Sequence, residues 1–89
     1  MSSGKCFKRV YITLIFNLMN KFFQFNEFVE LGKVFKDCEA YLIALENFNR
    51  AIALSYLPIN KERLVEAYDL RSSVLIQVIY LKNRNYIHK

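Results

Sequence analysis

Residues Phe28–Ala51 read F-V-E-L-G-K-V-F-K-D-C-E-A-Y-L-I-A-L-E-N-F-N-R-A. Large apolar residues and small ones alternate here at helical spacing. Leu31 and Gly32 lie one turn before Phe35. Tyr41, Ala44, Phe48 and Ala51 follow at steps of three, four and three, which places them on one face of a helix. Gly32 and Ala44 are small enough to let a facing helix approach closely. Phe28, Leu31, Phe35, Tyr41 and Phe48 are expected to supply buried area, worth roughly 1.5–3 kcal/mol for each side chain fully covered. The pattern predicts two helices folded back on each other. Propensity alone also permits one unbroken helix from Glu27 to Tyr56, but its apolar residues would circle the whole cylinder, which suits only a buried rod.

Outward from this stretch, Asn26 is the expected cap of a helix beginning near Glu27 and reaching about Lys36. Glu27 and Glu30 in its first turn suit the positive end of the dipole. Asp37 is the expected cap of the second helix. Leu57-Pro58-Ile59-Asn60 is the clearest break, because proline disfavours helix at Leu57. Asn60 then caps a third helix from Lys61 to about Lys82, and Asn83-Arg84-Asn85 reads as a turn. Two glycines and one proline leave too few turn signals for a sheet, so the fold class is all-α, with three to four antiparallel helices.

Phe28, Leu31, Gly32, Phe35, Tyr41, Ala44, Phe48 and Ala51 together resemble the signature of one tetratricopeptide repeat. Ala67-Tyr68-Asp69-Leu70-Arg71-Ser72-Ser73-Val74-Leu75 is similar to the start of a second, with Ser72 where Gly32 stood. Forty residues separate Gly32 from Ser72, against about 34 in the family. The resemblance covers roughly Asn26–Leu75, and the second repeat is truncated. It implies stacked helical hairpins that bind another polypeptide, an adaptor or scaffold role without catalysis. By analogy the groove would be lined by Val29, Lys33, Lys36, Asp69, Ser73 and Gln77, a mildly basic mixture. Some relatives clamp the C-terminal carboxylate of chaperone tails with Lys, Asn and Asn. Here those positions hold Val29, Lys33 and Leu70, so no such binding is expected. The family usually places a glycine near the turn between its two helices, and this chain has Lys36-Asp37-Cys38-Glu39 instead. Phe48-x-x-Ala51-Ile52-Ala53 with Ala67-Tyr68-x-x-Arg71-Ser72-x-Val74-Leu75 is also similar to the repeat segment of SET- and MYND-domain lysine methyltransferases. The catalytic parts of those enzymes have no counterpart here, so a non-catalytic repeat fragment is the alternative that this resemblance implies.

The ends divide the chain into 1–25 and 26–89. Phe7–Phe25 is basic at its start and then rich in Phe, Ile, Leu and Asn. A packed helix is the leading reading. A signal or anchor segment, or a chain start outside any folded unit, stands as the alternative. Asn17, Asn20 and Lys21 interrupt its apolar run, which falls short of the roughly twenty residues of a membrane span. In the third helix Val74–Leu81 is nearly all apolar. One face suits the helix carrying Phe48 and Ala51. The other calls for a cover: the Phe7–Phe25 segment, or another subunit through self-association.

Charge and composition narrow the function classes. The net charge is +5, but the bases are scattered rather than gathered on one face with exposed aromatics between them, so nucleic-acid binding is not expected. His88 is the single histidine and lies beside the end, which leaves no Ser-His-Asp arrangement. Cys6 and Cys38 lack metal-ligand spacing and do not require a disulfide, and Cys38 reads as a plain cysteine. No phosphate-binding glycine loop occurs. The expectation is a non-enzyme without metal or cofactor. Its compartment is expected to be reducing and cytoplasmic, with the nucleus as the alternative.

Overall fold

The computed structural model describes the backbone of residues 2–87 and the side chains of residues 8–84. Cys6 and His88 lie outside the residues with described side chains. The architecture is all-α: α1 (Ser2–Asp37), α2 (Tyr41–Ile52) and α3 (Lys61–Ile87). No strand occurs among the described residues.

The first helix is longer than expected. Asn26 does not start it but sits inside it, and helix runs unbroken from Ser2. No glycine or proline lies between Lys5 and Leu31, so nothing interrupts the ladder. The Asn26 amide has a tertiary task instead: its Oδ1 accepts from Arg63 Nη2 at 3.1 Å and from Nε at 3.3 Å.

The hairpin breaks at Cys38–Ala40. Asp37 closes α1 rather than capping α2, and α2 begins after Ala40 without a side-chain cap. Ala40 N donates to Phe35 O at 2.8 Å, and Glu39 N to Lys36 O at 3.0 Å. These two bonds are a Schellman closure, which needs a left-handed residue between them. Glu39 takes that conformation with φ 61°, where glycine is usual. Cys38 is exposed on this turn and its thiol is free.

α2 ends in overlapping turns. Ala53 N bonds Asn49 O, Leu54 N bonds Ala51 O, and Ser55 N bonds Ile52 O. Asn60 caps α3 as expected, its Oδ1 accepting from Glu62 N at 2.8 Å. The turn expected at Asn83–Asn85 is absent, because α3 continues through it to Ile87.

α2 lies between the other two helices and runs antiparallel to both. Phe25, Val29, Ala51 and Ala67 form one buried cluster, and Ala44, Phe48 and Val74 the other. At the α1–α2 crossing a Cβ on Gly32 would fall 2.6 Å from Cδ1 and 2.8 Å from Cζ of Phe48, and closer still to Cε1. The Phe48 ring thus fills the space a side chain at Gly32 would need. Phe28, Phe35 and Tyr41 are half-buried against these clusters. Leu31, expected in the core, is 39% exposed, and Tyr68 is 40% exposed. Both lie on helix faces turned away from α2.

Length mismatch decides the shape. α2 spans only about 18 Å, against about 54 Å for α1 and 40 Å for α3. It can cover α1 only from Phe25 onward. Residues 8–24 are exposed apart from half-buried Phe22, so this segment is helical but not packed. α1 and α3 run parallel and overhang α2 at opposite ends, giving extents of 74 × 22 × 18 Å. The Phe7–Phe25 segment therefore points away from Val74–Leu81 and does not fold over it.

Candidate interaction surfaces

α1 and α3 meet through a charged clasp. Arg63 Nη2 lies 3.3 Å from Glu30, and Lys33 Nζ lies 3.1 Å from Glu66 and 3.4 Å from Glu30. Arg63 Nη1 also pairs with Glu66. The Glu66 carboxylate hydrogen-bonded to Lys33 raises that ammonium above the ordinary lysine range, against a smaller opposing effect of burial. These side chains are 30–59% exposed, so each pair contributes well under about 1 kcal/mol. Together they bridge α1 and α3 along one side. The bases at 33 and 63 were legible as helix-surface charges, but the i,i+3 spacings Glu30–Lys33 and Arg63–Glu66 gave no sign of the link between helices.

The residues expected to line a groove are not brought together as one. Val29 is fully buried in the core between α1 and α2, and Lys33 is engaged by two carboxylates. Lys36 is half-buried near the end of α1, and Gln77 is exposed on the distal half of α3. Asp69 and Ser73 do share a shallow depression with Glu62, Val65, Glu66 and Leu70. Its lining contains three carboxylates and no base, so its character is acidic where a mildly basic surface was expected. The sequence position of Val29 carries no mark of its burial, because its direction depends on how α1 rotates against α2.

The larger features are apolar. Val65, Tyr68, Ser72, Leu75 and Ile79 recur on α3 at steps of three and four, and all are exposed. They form a row on the side turned away from Ala67 and Val74, which face α2. At the hairpin end, a groove of about 760 Å³ opens between the start of α2 and distal α3. Tyr41, Leu42, Ile43, Val78 and Leu81 line it, with Glu39 and Lys82 at its rim. At the other end, α1 shows Tyr11, Ile12, Leu14, Ile15, Phe16, Leu18 and Met19 to solvent, each at least 43% exposed. At 100° per residue, the apolar positions of 10–25 sweep about 240° of the helix, opposite a strip of Thr13, Asn17, Asn20 and Gln24. Lys21 Nζ lies 5.6 Å from the centre of the Tyr56 ring, which ties the base of this arm to the α2–α3 connection. Among the described residues no helix is long and apolar enough to cross a membrane.

Contiguous uncovered apolar area of this extent is uncommon on a folded monomer. No protein-family model, curated protein or solved structure matches the chain.

Proposed function

We propose that the protein is a tetratricopeptide-like interaction module, without catalytic activity, that binds an amphipathic helix of another polypeptide on the uncovered face of α3. The observation that carries this reading is the row Val65, Tyr68, Ser72, Leu75 and Ile79, left exposed at the spacing of a helix-packing seam. Ser72 in its middle is the small position that lets a partner helix approach, as Gly32 does for Phe48. Affinity would come from burying the four large side chains around it, with the rim charges setting orientation. Val29 is buried and the Lys33 ammonium is already engaged by Glu30 and Glu66, so the chaperone-tail mode stays outside this proposal.

The test is selection of displayed amphipathic helices against the chain, followed by calorimetry with Leu75→Glu and Ile79→Glu. Both positions are exposed, so the fold should survive, which circular dichroism checks. Selected helices are expected to lose at least about tenfold in affinity to each variant. Binding indifferent to both substitutions would refute the placement on α3.

A further inference from the structure

The turn between α1 and α2 is built against local preference. Only Cys38–Ala40 separates the two helices. Glu39 in its middle holds a left-handed φ of 61°, a region that disfavours any residue with a Cβ. α2 then begins at Tyr41 without a side-chain cap for its first amides. Between Gly32 and Pro58 the sequence contains neither glycine nor proline, so nothing in it forbids helix through the turn. If Cys38, Glu39 and Ala40 became helical, Glu39 would leave the left-handed region. The amides of Tyr41, Leu42 and Ile43 would then bond to the carbonyls of Asp37, Cys38 and Glu39 in the ordinary ladder.

Such an opening keeps the buried faces in phase. Counted at 100° per residue along one rod, Phe25, Val29 and Gly32 fall within an arc of about 60°. Ala44, Phe48 and Ala51 fall within another of about 60°, displaced from the first by only about 20°. The two faces that cover each other in the hairpin would lie on one stripe of the rod. The hairpin is also symmetric in register. Gly32 meets Phe48, and Val29 shares a cluster with Ala51, each pair centred on Ala40. Two open rods laid antiparallel and crossing at Ala40 therefore re-form both contacts between copies. Ala40 falls on the same stripe, and its small side chain permits close approach at the crossing. The connection 53–60 keeps α3 with α2, so the pairs of Arg63 with Glu30 and of Lys33 with Glu66 re-form between copies as well.

We propose that the α1–α2 turn is a hinge, through which α1 and α2 join into one helix and two copies of the chain exchange their α2–α3 halves. Short hinge loops under strain favour this kind of exchange. The contact is isologous and uses the surfaces that the hairpin buries, so association stops at two copies. The outer row of α3 takes no part in it, and this inference stands apart from the reading of that face.

The test begins with full-length chain refolded from urea at about 5 to about 500 µM and followed by sedimentation velocity. The mass is expected to rise from 10.6 kDa toward twice that value and no further. Each dimer contains two hinges, so a threefold effect at one hinge becomes about tenfold in the dissociation constant. Glu39→Gly eases the turn and weakens the helix, and should loosen the dimer at least about tenfold. Glu39→Thr makes the left-handed turn harder, because its side chain branches at Cβ, and should tighten the dimer at least about tenfold. Spin labels then distinguish exchange from surface docking. They are placed at Glu27→Cys and Ala53→Cys, both exposed, in a chain carrying Cys6→Ser and Cys38→Ser and diluted with unlabelled chain. In the hairpin these positions lie on neighbouring helices, whose axes are about 10 Å apart. In one unbroken rod they are about 39 Å apart. The dimer fraction should show the long separation and the monomer fraction the short one. A dimer that keeps the short separation within each labelled chain would overturn the proposal. So would a Glu39→Thr chain that stays monomeric at the highest concentration, or a Glu39→Gly chain that associates as tightly as the parent.

Discussion

Substituting Gly32 by alanine separates the close-approach account of the hairpin from ordinary helix propensity. In an uncrowded helix interior this change stabilises by roughly 0.5–1 kcal/mol, since glycine loses the most backbone freedom on folding. Here the new Cβ would stand 2.6 Å from Cδ1 of Phe48. The ring is fully buried and packed with Ala44 and Val74, so it has nowhere to retreat without moving that cluster. Overpacking of this kind costs about 1–3 kcal/mol. The net expectation is a loss of about 1 kcal/mol, growing to 2 or more for Gly32→Val. Urea unfolding followed by circular dichroism, with an unchanged slope, measures it. The sharper result comes from repeating Gly32→Ala in a Phe48→Leu background. With the ring gone, the propensity gain should emerge and the sign should reverse, giving a coupling of at least about 1 kcal/mol. If Gly32→Ala stabilises the parent chain by the ordinary amount, the ring does not occupy that space and the packing argument fails.

Three further outcomes follow from local geometry. Glu39→Gly should raise the urea midpoint by the equivalent of about 1 kcal/mol, because it relieves a left-handed conformation at φ 61° that costs a non-glycine residue about that much. Asn60→Ala should cost about 1 kcal/mol and leave the Glu62 amide proton less protected in hydrogen exchange, since its acceptor is lost. Lys33, whose ammonium is held up by Glu66, contributes stability that is complete below the ordinary lysine pKa. That contribution drains away only as pH climbs through the raised folded value, so the difference between parent and Lys33→Met should be flat through neutral pH and shrink above about pH 10. A difference that instead vanished on acidifying from pH 9 to pH 7 would contradict the sign.

The sequence by itself determined the helical class, the break at Pro58, the Asn60 cap and the residues that cross between α1 and α2. These rest on local rules, namely spacing, capping chemistry and the missing amide of proline, which act over a few neighbouring residues. Asn26 shows where local rules stop. Its side chain suits a helix cap, yet Arg63, thirty-seven residues away, takes its oxygen, and the helix runs through. Glu39 stands where glycine was expected, and only the closing bonds of the turn reveal that it adopts the glycine conformation. Tertiary structure alone decided that Val29 is buried and Leu31 is not, because that depends on the rotation of α1 against α2. It also decided which apolar faces stay open. α2 is about a third the length of α1, and a short helix between two long ones leaves their outer ends uncovered however apolar they are.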